Sequence, residues 1–430
     1  VNVRVVELLR KSNRTPSAQG PVMPGAYKAP GLWRLLGPAF VAAIAYVDPG
    51  NVAANLTAGA RYGYLLVWVL VLANVMAVLF QYLSAKLGIA TGRSLASVAA
   101  DRMGPKTTTA YWMQAQFIAM ATDIAEVIGG AIALNLLFGV PLPIGGIIIG
   151  AISMAVLQSQ QHGGQRTFER IIMAFLAVIT IGFVTGLFFS GFSPTQMIGG
   201  LVPRLAGTDS LLLATSMLGA TIMPHAIYMH SSLINDRFGG SDEHERRKQL
   251  LRATRLDVVL ALALAGSVNV AMLLLAAASL GGAENTDTIE GAHAAIASGL
   301  GGLVATIFAV GLLASGLASA SVGAYAGSSV TRDLLRIKIP VWAQRLVTLA
   351  PAIIILFLGV EPTWALVMSQ VALSLGIPFA AIPLVRATSS PAIMGRLVNS
   401  PPIRTIAWVS CAVIVLLNVA LVVLTALGEA

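Results

Sequence analysis

The stretch AIAYVDPGNVAANL, residues 43–56, reads as an apolar helix broken by four residues that a lipid-facing helix should not hold. Asp48 is ionisable, Pro49 lacks an amide donor, Gly50 is flexible and Asn51 is a polar amide. A second interruption stands in LGATIMPHAIYMHS, residues 218–231, where Pro224 lies between Met223 and His225. A proline in mid-span frees backbone carbonyls one turn earlier, and freed carbonyls can coordinate a cation. Both breaks therefore read as the two halves of one site.

Composition places these breaks in a membrane. Of 430 residues, 57% are hydrophobic and 10% are charged, against about 25% charged in soluble domains. The chain reads as an all-α polytopic membrane protein. Eleven apolar segments run near 32–58, 63–88, 109–137, 143–158, 167–192, 211–233, 257–281, 300–326, 342–359, 363–385 and 404–427. A helical crossing needs ~20 residues, so the fourth, following Pro141 and Pro143, is the shortest candidate. Residues 1–31 are basic and polar, without the apolar core of a cleavable signal peptide, and are expected to form a cytoplasmic tail. Cys411 has no second cysteine to pair with, so no internal disulfide is expected.

Charge orients the spans. With the N-terminus inside, 25 of the 27 Lys and Arg fall on inside loops or helix ends, leaving Arg61 and Arg204 outside. That alternation predicts eleven transmembrane helices in the cell membrane, N-terminus cytoplasmic and C-terminus outside. The net charge of +9 follows from the same bias; it is spread over six loops, and no nucleic-acid partner is expected. No oligomer is implied.

Spans one and six, which carry the breaks, open two five-span halves, 32–192 and 211–386. Span eleven, 404–427, is an appendage. Paired broken helices at corresponding positions point to an inverted repeat with its site at the midplane. Asp48 offers an anionic oxygen, Asn51 an amide oxygen and Met223 a thioether, with carbonyls near Ala45 and Ala220. Sodium, magnesium and calcium prefer all-oxygen shells. A thioether among oxygens suits Mn²⁺, Fe²⁺ and Co²⁺ better.

Asp48-Pro49-Gly50-Asn51 and Met223-Pro224-His225, with ATDIAE in span three and SQVALSLGIPFA in span ten, resemble the Nramp family (natural resistance-associated macrophage proteins). The resemblance implies a leucine-transporter-like 5+5 inverted repeat with broken helices one and six. It implies proton-coupled import of divalent metal, Mn²⁺ foremost and Fe²⁺ next. The implied metal ligands are Asp48, Asn51 and Met223, the carbonyls of Ala45 and Ala220 in some states, and Gln370 in occluded ones. The implied proton route is Asp48, His225, Asp123 and Glu126, with Arg345 of span nine as a pairing cation. No cofactor is expected beyond the transported metal and the coupling proton.

The residues support an ion-coupled reading on their own. Asp123 and Glu126 are three apart, hence on one helix face, and a carboxyl group held out of water can keep a proton near neutral pH. Histidine titrates near ~6.5, which suits His225 for a relay. No GxxxxGK[ST] nucleotide loop is present, nor HExxH, GxGD or GxSxG, so no enzyme is expected. The alternatives are a purely structural Asp123–Glu126–Arg345 network and, at the level of function, a sodium-coupled amino-acid or amine symporter on the same fold. His230 reads as a helix-end residue. Asn74, Gln114 and Gln116 read either as path-lining groups or as glue between helices. Gly316, Ala320 and Ala324 form a small-residue face for close helix packing.

Overall fold

Asp48 starts a helix as well as breaking one. It takes an extended backbone (φ −70°, ψ 167°) and its carboxylate accepts the Asn51 amide, so one residue ends the helix before it and caps the helix after it. Pro49 and Pro224 both occupy the first helical position, where a missing N–H costs nothing. A computed structural model describes residues 35–239, 244–281, 288–337 and 339–427. The expected cytoplasmic tail, 1–31, lies outside them.

The described residues are helical, without strands. The first segment divides into α1 (Pro38–Ala43), a 3₁₀ turn (Ile44–Val47) and α2 (Pro49–Tyr62). There follow α3 (Val67–Thr91), α4 (Leu95–Ala100), α5 (Pro105–Phe138), α6 (Leu142–Gly163), α7 (Gln165–Phe189) and α8 (Pro194–Gly199). The second break separates α9 (Thr208–Thr221) from α10 (Pro224–Phe238). The remainder comprises α11 (His244–Ser279), α12 (Ile289–Gly299), α13 (Gly302–Leu335), α14 (Val341–Phe357), α15 (Pro362–Thr388), α16 (Pro391–Met394) and α17 (Pro401–Ala426).

Among the described residues eight stretches, with α9 and α10 taken together, are long and apolar enough to cross a membrane. Three shorter apolar helices, Pro38–Val47, Leu142–Gln158 and Trp342–Phe357, stand where spans one, four and nine were expected. The short helices α4, α8, α12 and α16 were not foreseen. Three of them open on a Ser or Thr side chain that accepts an amide of the first turn, Ser94, Ser193 and Thr288, a local signal that an apolar-run reading passes over.

Burial is graded from the breaks outward. Helices α9 and α10 are almost wholly enclosed, whereas α7 and α17 expose apolar side chains such as Ile181, Phe188, Leu416 and Val419. In a bilayer those faces meet lipid rather than water. The small-residue face of α13 packs as expected: a Cβ placed on Gly316 would lie 2.8 Å from the Gly130 Cα of α5. The bundle is also tied together by polar bonds. Asp257 of α11 accepts the amides of Gly37 and Ala39 (3.0 and 2.9 Å) and so caps α1 across 220 residues of chain.

Candidate metal centre

Each break leaves carbonyls without their helical donors, and neighbouring helices satisfy several of them. Ser315 of α13 donates to the Val47 carbonyl (2.6 Å) and Asn269 of α11 to that of Tyr46 (2.7 Å). Asn269 also accepts from Asn55 of α2 (3.1 Å). Sequence reasoning missed Asn55, Asn269 and Ser315. The signal for them was there, since a polar residue inside an apolar span needs a partner.

Within this frame the two breaks meet. Asn51 Nδ2 donates to Asp48 Oδ1 (2.7 Å) and to the Ala220 carbonyl at the end of α9 (2.9 Å), while the Asn51 amide donates to the same Asp48 oxygen (2.8 Å). Gln370 of α15 donates from Nε2 to Asp48 Oδ2 at 3.4 Å. Gly50 makes room for that approach, because a Cβ there would lie 1.7 Å from Gln370 Nε2. Met223 occupies the cap position of α10 in extended backbone (φ −68°, ψ 123°), and Ala45 lies in the 3₁₀ turn before Asp48. Asp48, Asn51, Ala220, Met223 and Gln370 are all inaccessible to solvent, so the site is closed at both ends.

The arrangement is short of hydrogen bonds in one informative way. Asn51 Oδ1 and Gln370 Oε1, on the two amides bonded to Asp48, are buried without partners. An orphaned buried acceptor costs about 1–3 kcal/mol, and a cation beside it would relieve that cost. Among the described residues no group of three or more His, Cys, Asp or Glu could hold a metal. The donors gathered here are one carboxylate with amide and carbonyl oxygens, and Met223 stands at the cap of α10 beside them.

The expected proton groups lie on the adjoining helix. A Cβ on Gly129 of α5 would sit 2.0 Å from the Pro49 Cβ. Glu126, three residues earlier on the same face, is therefore placed close to the Asp48 break. Its Oε2 has no partner, and its oxygens lie against Gly323 of α13. Asp123 is ion-paired with Arg345 of α14, which also donates to Ser153 (3.1 Å). Both partners are buried. His225 Nδ1 meets Thr122 of α5 at 3.3 Å, and His225 Nε2 has no partner.

His230 is not a helix-end residue. It is fully buried within α10, bonded through Nδ1 to Gln81 of α3 (2.7 Å), and Gln81 in turn donates to the Tyr46 hydroxyl. The apolar run ends near Leu233, but α10 continues to Phe238. Gln116 is glue: it donates to Thr331 (3.1 Å) and accepts from Gln344 (3.4 Å), joining α5, α13 and α14. Asn74 lies half-buried against Gly266 of α11, and Gln114 is half-buried with its Oε1 unpartnered.

At one end of the bundle, a knot of Tyr111, Tyr228 and the Phe379 carbonyl draws α5, α10 and α15 together. Towards the other end, a cavity of about 270 Å³ opens between α2, α9 and α15, lined by Thr57, Arg61, Asp209, Leu213 and Trp364.

An apolar helical bundle whose two broken helices meet at one buried carboxylate is built as a membrane transport protein. The family model described as natural resistance-associated macrophage protein-like matches residues 39–424. A divalent metal cation transporter MntH of Mycobacterium tuberculosis is 57% identical over 396 residues, covering 92% of each chain. The Bacillus subtilis protein of the same name is 44% identical over 398 residues, covering 91% of this chain and 92% of its own. A structure of the Eremococcus coleocola manganese transporter superposes with a TM-score of 0.82 at 28% identity, covering 95% of this chain and 89% of that one. Mhp1, a nucleobase-cation-symport-1 family transporter, shares the fold at a TM-score of 0.58 and 15% identity, covering 91% of each chain. This chain belongs to the Nramp family, whose members are membrane transporters and not enzymes.

Proposed function

We propose that this protein imports divalent transition metal ions, Mn²⁺ foremost and Fe²⁺ next, across the cell membrane by alternating access coupled to protons. One observation carries the reading. Asn51 Nδ2 bridges Asp48 Oδ1 and the Ala220 carbonyl across the two breaks, in a place closed to solvent. A half-turn of that amide puts its unpartnered oxygen where the nitrogen now lies. The donor that holds two acceptors together then becomes a third oxygen ligand beside them. Met223 adds the thioether, which favours a transition metal over Ca²⁺ or Mg²⁺. The Ala45 carbonyl and Gln370 complete the shell as the site closes.

The proton step uses the same carboxylate. Two positive charges arriving at Asp48 drive its proton off, towards Glu126 and His225 and then the Asp123–Arg345 pair. Eleven crossings arranged as five plus five plus one, with the basic loops in the cytoplasm, accommodate the eight long and three short apolar helices. The names of the relatives support metal as the cargo. A sodium-coupled amino-acid or amine symporter draws on one feature, the absence of a side-chain cap on α10. Its first position is Pro224, which has no N–H to offer a carboxylate, and the α2 terminus is already filled by Asp48.

The test is uptake of ⁵⁴Mn into vesicles holding the purified chain, with and without an inward proton gradient. Uptake stimulated by the gradient and competed by Fe²⁺ is expected. Uptake that follows a sodium gradient and an amino acid instead would overturn the reading.

A further inference from the structure

Away from the metal centre, two cavities share a wall. One, of about 470 Å³, lies where the start of α11, the end of α3 and the turn after α16 meet. Among the described residues five cations line it, Arg247, Lys248, Arg252, Arg255 and Arg396, and no acidic side chain does. The other, of about 590 Å³, is an apolar groove between α3, α11 and α17, lined by residues such as Leu72, Val75, Val259, Ile406 and Val409. Tyr82 and Arg255 belong to both, and the Arg255 guanidinium sits over the Tyr82 ring at 5.8 Å.

The dimensions match one leaflet. From Tyr82 to Leu72 along α3, and from Ile403 to Val413 along α17, each wall covers ten residue steps, or about 15 Å of helix. That is half of the ~30 Å hydrocarbon layer. Arg252, Arg255, Lys248 and Arg396 form no ion pair among the described residues, so their charge is available at the mouth of the groove. An exposed apolar furrow as deep as an acyl chain, opening onto a cluster of guanidinium groups, is complementary to a molecule with an apolar tail and a phosphate head.

The geometry points to a binding site for an anionic glycerophospholipid of the leaflet on the basic side. Its acyl chain lies in the α3–α11–α17 groove and its phosphate lies among Arg252, Arg255 and Arg396. The lipid braces α17 against α3 and α11. α11, which forms one wall of the site, also caps α1 through Asp257.

Native mass spectrometry of the detergent-purified chain, titrated with dioleoylphosphatidylglycerol or dioleoylphosphatidylcholine, tests this. The anionic lipid should bind more tightly. R252Q/R255Q/R396Q should weaken it about a hundredfold, at roughly tenfold or less per cation removed, and weaken phosphatidylcholine, whose choline offsets its phosphate charge, far less. R102Q/K106Q, at exposed cations of the same end outside the pocket, should leave both lipids unchanged. V259W/V409W, which fills the groove, should weaken both lipids, and chainless glycerol phosphate should fail to displace the lipid. Equal binding of the two lipids, an unchanged triple variant, or equal losses in R102Q/K106Q would overturn the proposal.

Discussion

Gly50→Ala is the most discriminating single perturbation of the candidate metal centre. Gly50 does not have positive φ, so its backbone accepts alanine, and in a helix alanine is favoured over glycine by up to about 1 kcal/mol. The whole cost is one of space. The new Cβ would stand 1.7 Å from Gln370 Nε2 and 2.4 Å from its Cδ. Those atoms, with Cγ at 2.9 Å, belong to one flexible side chain, so Gln370 gives before the backbone of α2 or α15 does. What is lost is the 3.4 Å contact between Gln370 and Asp48. In the proposed function Gln370 also contacts the bound ion, and losing that contact, at the low end of the about 1.5–3 kcal/mol of a hydrogen bond to a charged group, is equivalent to roughly a tenfold loss of affinity. Gly50→Ala should therefore raise KM for ⁵⁴Mn uptake about tenfold with little change in folding yield or melting temperature. Gln370→Ala should do the same. In the Gln370→Ala background the added methyl meets empty space, so the double variant should be no worse than Gln370→Ala alone. If Gly50→Ala costs as much in that background as in the wild type, the glycine serves something other than room for Gln370.

Asp48→Ala should abolish Mn²⁺ uptake, whereas Met223→Ala should keep part of it and lose discrimination against Ca²⁺; competition assays in vesicles decide, and full discrimination in the methionine variant would contradict the thioether argument. Asp123→Asn leaves Arg345 charged in a buried place, which should cost about 3–5 kcal/mol in stability; Asp123→Asn with Arg345→Gln should melt closer to the wild type yet still move protons poorly while binding metal, as calorimetry would report. At the basic end, Arg93 bonds Asp101 at 2.6 Å and Arg336 joins it, so this carboxyl is held below its ordinary value. The charged form is the one favoured by folding, so the contribution is present above the ordinary carboxylate value and disappears as pH falls below it through the lowered value of the folded protein. Because Asp101 is exposed the effect is small: the wild type should melt slightly above Asp101→Asn at neutral pH and equal to it in acid.

The breaks were legible because proline and an ionisable residue in an apolar run are local facts. Asp48-Pro49 and Met223-Pro224 therefore fall where the reading put them, and so do the apolar segments around them. The bonds that make the breaks tolerable were less legible, because each depends on how helices are turned towards one another. Asn55, Asn269, Gln81 and Ser315 are ordinary polar interruptions by sequence, and only the packing of α2, α3, α11 and α13 reveals that they serve the first break. His230 illustrates the same limit. His230 and residues 231–234 are buried, and α10 continues through the half-buried or exposed residues 235–238, so the apolar run stops before the helix does. Hydropathy reports what a helix offers to lipid; burial among other helices removes that requirement.

Gly50 and Gly129 carry this one step further. Either glycine could have been a packing residue or a hinge on sequence grounds. In the fold they are the two contacts that bring Gln370 and the Glu126 face of α5 up to the same break. The consequences of enlarging them differ, because Gly50 meets a flexible amide and Gly129 meets the proline ring at 2.0 Å. A methyl at the first shifts the Gln370 amide, while a methyl at the second must move a helix. The α2–α5 approach is thus the rigid dimension of the centre and the α2–α15 approach its adjustable one. The proposed function draws on both, since a site proposed to close on an ion and release it, with a proton passed to α5, would use a fixed neighbour and a movable one.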